Sequence, residues 1–73
     1  HPEYRHWRPV DEPLEGDACL MGKNRFASHV GLWVAADGGG ILHSVQGAGV
    51  IFTPLPALAA LGLRVLSWYR RRP

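Results

Sequence analysis

The apolar and polar positions of this chain read mostly as short strands separated by glycine-rich turns. Ala18 to Met21 is a brief apolar run behind a Gly16-Asp17 turn. Gly22 to Ala27, with Lys23, Asn24 and Arg25, reads as a connecting loop. His29 to Ala35 is rich in Val, Leu and Trp and reads as a central strand. Successive side chains of a strand point to opposite faces, so Val30, Leu32 and Val34 share one face and His29, Gly31 and Trp33 the other. Ala36 to Gly40 is a turn, because its glycines reach positive φ without steric cost. Ile41 to Val45 then returns as the antiparallel partner. Gln46-Gly47-Ala48-Gly49 makes a second turn, and Val50 to Thr53 a fourth strand.

Pro54 to Gly62 changes character, with alanine and leucine replacing β-branched residues. Thr53 suits an N-cap, Pro54 a first helical position and Gly62 a stop, so a short helix is expected. Leu63, Val65, Ser67 and Tyr69 alternate against Arg64, Leu66 and Trp68, as in a last strand. Residues 1 to 13 hold Pro2, Pro9 and Pro13, which block a long helix and predict an extended arm. Tyr4, Trp7 and Val10 are its candidates to pack on the body, and their spacing alone permits one short helical turn. The expected fold is α+β: a curved or barrel-like antiparallel sheet of four to five strands with one short helix. The division is an arm at 1–13, a β-rich domain at 14–70 and a basic tail at 71–73.

With 73 residues the chain makes one small domain. Such a chain hides only about 60% of the surface it exposes when unfolded, so its stability is marginal. A single cysteine rules out an internal disulfide and fits a reducing compartment or a free thiol. The 47% hydrophobic content is that of a folding chain. Arg70-Arg71-Arg72 supplies three of eight basic residues, and the body without it is close to neutral. No continuous basic surface argues for nucleic acid, and the triplet reads as a solvated terminus. No apolar run nears the ~18 residues of a membrane span, and no signal peptide opens the chain. A first residue His1 in place of Met suggests a trimmed or partial chain.

The candidate chemistry lies in the expected hairpin, where His29 and His43 stand on adjacent strands and can meet as a base and its orienting partner. The order Gly16-Asp17 with an apolar strand, His29-Val30-Gly31 with an apolar strand, then Leu42-His43, resembles the C-terminal half of the NlpC family of papain-like cysteine peptidases. Asp37-Gly38-Gly39-Gly40 and Gly47-Ala48-Gly49-Val50-Ile51-Phe52 are similar to its phage-tail members. The resemblance covers residues ~14 to 70 as an order of strands, and each of its motifs is weakly specific by itself. It implies that His29 is the general base and His43 the third polar residue, which the family fills with His, Asn or Gln. It also implies peptidoglycan stem peptides as substrates, phage tail proteins or a missing N-terminal half as partners, possible self-association, and a place in the virion tail or in the host cytoplasm during assembly. The family's nucleophilic cysteine opens a helix ahead of the Gly-Asp strand, and these residues contain no such segment. The chain by itself is therefore expected to be inactive. The alternatives are a non-enzymatic tail-assembly or interaction module and, more weakly, a hydrolase that uses Cys19.

Cys19 falls within the Gly-Asp strand, where a small buried hydrophobe is expected. A nucleophilic cysteine needs partial exposure and an electropositive setting, and mid-strand offers neither. His6, Cys19, His29 and His43 are zinc-compatible donors, but without C-x-x-C, H-x-H or H-x-x-x-H spacing no metal is expected, nor any other cofactor. Trp7, Trp33 and Trp68 read as core or rim aromatics rather than a sugar platform.

Overall fold

The computed structural model of the protein describes residues 5–73. Tyr4, one of the residues expected to pack on the body, lies outside the described residues. Six strands form one antiparallel sheet: β1 (Trp7–Val10), β2 (Ala18–Gly22), β3 (His29–Val34), β4 (Gly40–Val45), β5 (Gly49–Pro54) and β6 (Arg64–Arg71). Their order is β1-β6-β2-β3-β4-β5. No helix among the described residues is long and apolar enough to cross a membrane.

Two features of this architecture correct the expectation of a barrel-like sheet of four to five strands. The arm enters the sheet as a sixth strand, with Trp7 opposite Arg71 and Val10 opposite Trp68. Pro9 is tolerated there because β1 is an edge, where a missing N–H need not break a ladder. The sheet also stays open, with β1 and β5 as its two edges.

The expected helix is a 3-10 segment, Leu55–Leu61, ending at Gly62 in the left-handed conformation. Pro54 and Pro56 lack two of the N–H groups at its start, and a segment of this length closes readily with the tighter i→i+3 bonds. Thr53 is not its N-cap. It belongs to β5, Pro54 holds the cap position without a side-chain bond, and the Thr53 hydroxyl is engaged by His43 instead.

The core lies on one side of the sheet. Cys19, Met21, Ile41 and Leu58 are buried there, with Trp33, Leu63, Val65 and Trp68 packed around them. Leu58 is the buried residue of the 3-10 segment, which covers this side as a lid over the strands. Trp33 and Trp68 meet edge to face, centroids 5.4 Å apart, and Gly39 leaves the room that the Trp33 indole fills. Trp7 stands on the edge strand with the Arg71 guanidinium over its ring at 5.8 Å.

The other side is open. Residues directly opposite in an antiparallel sheet point the same way. The register therefore lines up Pro9, Tyr69, Ala18, Leu32, Leu42 and Phe52 across all six strands, a row without a charge. Leu20 and Val30 pair beside it. Val30 is 59% exposed and Leu32 44%, far from the burial such side chains have in a core.

Asp17 joins the start of β2 to β6. Its buried carboxylate accepts from the Leu14 N–H at 2.7 Å and from the Arg70 guanidinium, Nη2 at 2.7 Å and Nε at 3.0 Å. The Arg70 hydrogen bonds, helped by the Leu14 N–H and the nearby charges of Arg70 and Arg8, hold the carboxyl below its ordinary 3.8 despite burial. A depressed pKa means that the unfolded chain binds the proton more readily, so the stabilisation is full above 3.8 and is lost as pH falls through the folded value. Thermal melts by circular dichroism across this range should show wild-type stability falling below pH 3.8, with Asp17→Asn less stable at neutral pH and flatter in acid.

Candidate functional site

The two histidines meet on the core side of the β3–β4 hairpin. His43 is opposite Gly31, and His29, the first residue of β3, is one pleat along on the same face. The imidazoles are perpendicular with centroids 5.0 Å apart, and His29 Nε2 lies 2.8 Å from His43 Nδ1. Hydrogen-bond reach between a base and its orienting partner requires this separation.

Gly31 makes room for the pair. A Cβ at this position would collide with the Ile41 side chain and stand 3.1 Å from His43 Cβ, tighter than ordinary contact. The His-Val-Gly order thus has a local physical basis, since the glycine lets β4 carry an imidazole inward at the neighbouring position.

The hydrogen-bonded chain has a third member. His43 Nε2 lies 2.8 Å from Thr53 Oγ1 on β5, and both residues are buried. Thr53 is opposite Ile41, one pleat from His43, so three adjacent strands each contribute one group. Sequence reasoning read Thr53 as the last residue of a strand and as a helix cap, and did not assign it to the site. The signal that could have placed it here was its position in the alternation of Val50 to Thr53, which turns Ile51 and Thr53 toward the side occupied by His43.

The environment differs along the chain. Desolvation by burial, and then the neighbouring His29, hold His43 below the ordinary histidine value of 6.5, so it stays neutral. His29 is half-buried and lines an open cleft of about 420 Å³ together with Leu20, Ala27, Ser28, Val30 and Ser44. Val30, Leu20 and Ser44 belong to the open side of the sheet. The cleft lies on the uncovered apolar face, whereas His29, whose imidazole is on the core side, is half-buried at the start of β3.

Cys19 stands apart. It is fully buried opposite Gly31 and Trp68, whereas Met21 is the residue opposite His29. Its thiol has a single weak contact, 3.9 Å to the Leu20 carbonyl, and no bond to an imidazole among the described residues. Burial pushes the thiol pKa up to about 11, so it is protonated at neutral pH. His6 is exposed on the approach to β1, and no group of three or more metal-binding side chains forms among the described residues.

Comparison of the chain with family models, with curated proteins and with solved structures finds no match. The functional reading therefore rests on the geometry of the three-strand hydrogen-bonded chain and on the motif order.

Native Cys19 should react with iodoacetamide far more slowly than the same residue in urea-unfolded protein, as followed by intact mass. Rapid native alkylation at neutral pH would show that the thiol is accessible and ionised.

Proposed function

We propose that this chain is the β-rich, C-terminal half of an NlpC-like, papain-type domain from a phage or prophage tail protein. In this reading it supplies the base side of an active centre whose nucleophile comes from another segment. The observation that carries the proposal is the chain His29–His43–Thr53, whose outer member, His29, is half-buried where His43 and Thr53 are buried. A helix laid on Leu20, Val30, Leu32 and Leu42 would bury the uncovered apolar face, and its nucleophile would have to reach round the start of β3 to the core side, where the His29 imidazole lies.

The chemistry follows from the residues present and from the nucleophile they lack. A thiol brought to His29 gives its proton to the imidazole pair, and the thiolate attacks the carbonyl carbon of a peptidoglycan stem peptide. The leaving amine takes the proton back as the thioester forms, and water completes the cycle through the same base. His43 orients His29 and lies too deep to meet substrate. Cys19 cannot substitute, being buried and protonated.

The isolated chain should show no cysteine-dependent cleavage of stem peptides. A polypeptide extended upstream of His1 along its natural reading frame, bringing an Asp-Cys dipeptide at the start of a helix, should cleave them. His29→Ala should lower that kcat by about 10²–10⁴-fold, the range for loss of a general base. Cleavage that is indifferent to His29, or an upstream frame without such a cysteine, would defeat the enzyme reading.

The uncovered face favours a second reading, a non-enzymatic tail-assembly module that docks through the row Ala18, Leu32, Leu42 and Phe52. Sedimentation of the isolated chain should then show self-association that Leu32→Glu abolishes while the circular dichroism spectrum is retained. A strict monomer at all concentrations would count against it.

A further inference from the structure

We propose that Thr53 is a positioning residue that sets the tautomer of the histidine pair, donating its hydroxyl proton to His43 Nε2 and so leaving both imidazoles protonated on Nδ1. The argument is an accounting of hydrogens. Thr53 is buried, and its hydroxyl has His43 as its sole hydrogen-bond partner among the described residues. If His43 Nε2 carried the hydrogen, the Thr53 oxygen would accept it, and the hydroxyl's own hydrogen would be left buried without an acceptor, which costs about 1–3 kcal/mol. With Thr53 as donor every group in the chain is satisfied. The Thr53 hydroxyl donates to His43 Nε2, and His43 Nδ1–H donates to His29 Nε2 at 2.8 Å. His29 Nδ1–H is then left on a half-buried residue at the start of β3, where water can accept it.

A hydroxyl suits this place because it serves either polarity. When the pair takes up a proton from solvent, His29 becomes an imidazolium with hydrogen on both nitrogens. Its Nε2–H must then donate to His43 Nδ1, and His43 Nε2–H to Thr53. The three hydrogens of the neutral chain become four, the fourth being the one taken up, and Thr53 turns from donor to acceptor. A carboxylate at this position could only accept, and an ammonium could only donate. In the resting tautomer the outward Nδ1 of His29 already carries hydrogen, so the proton acceptance that the papain-like reading above requires needs the opposite tautomer, with Thr53 as acceptor. The tautomer of the resting chain does not rest on that reading.

The test is nitrogen-15 NMR of the imidazoles in the full chain at a pH well above 6.5, the ordinary value below which His43 is held. His29 and His43 should each show a protonated Nδ1 and an unprotonated Nε2. Thr53→Ser should retain this pattern, whereas Thr53→Val should lose the single tautomer at His43 and, through it, at His29 two rings away. Substitution acting only through packing would not reach the His29 ring nitrogens. A wild-type spectrum with His43 protonated on Nε2 would overturn the proposal, and so would a folded Thr53→Val protein with both tautomers unchanged. The wild-type measurement decides the matter even where Thr53→Val does not fold, and it needs no nucleophile, so its failure is distinct from failure of the peptidase reading.

Discussion

The register between β3 and β4 is the constraint on which the rest of the structure depends. Gly31 opposite His43 places His29, His43 and Thr53 on the core side, and by the same alternation sends Val30, Leu32 and Leu42 outward. A slip of one residue would exchange the two faces, turning the imidazoles into solvent and the apolar row into the core. What opposes the slip is local. Gly31 is the position of β3 that admits a neighbouring imidazole without collision, and the Asp37-Gly38-Gly39 turn, with Asp37 at φ 53°, sets the start of β4.

A domain this small usually spends its apolar residues on one core, yet here the sheet is apolar on both sides and covered on one. The 3-10 segment with Leu58 and the Trp33–Trp68 pair close the inner side. Nothing among the described residues covers the outer side, since the arm joins the sheet edge and lengthens the row with Pro9 and Tyr69 instead of crossing it. Burial at roughly 25 cal/mol per Å² is withheld along that row, a large loss for a chain already short of interior. Such a face makes physical sense as half of a larger interface, which is why both functional readings place a partner there.

Much of this was legible in the sequence, and the parts that were not share a cause. Five strands, their turns and the split of β3 into a histidine face and an apolar face follow from alternation, which is a local property. The meeting of His29 with His43 follows from the hairpin, also local. Two things depended on distant pairing. β1 exists because β6 offers it an edge some sixty residues away, and the mixed Trp-Arg-Pro-Val sequence carries no strand pattern by itself. Thr53 precedes a proline and a run of alanine and leucine, all signals of a helix start, but its hydroxyl was claimed across the sheet by His43. A buried imidazole with a nitrogen left over is a stronger demand than a helix cap, because the cap's N–H groups can be served by water at the surface and the imidazole's cannot.

The separation of Cys19 from the imidazoles defines what this chain can do chemically. Both lie on the same side of the sheet, so proximity in the fold does not divide them; solvation does. Cys19 is enclosed among Gly31, Trp68 and the core, where a thiolate would have neither water nor a positive neighbour. His29 stands at the start of β3 and is half-buried. A base accessible from outside and a thiol sealed inside are the reverse of what a self-contained Cys-His pair requires. The same arrangement suits a base that waits for a nucleophile to be delivered by another segment.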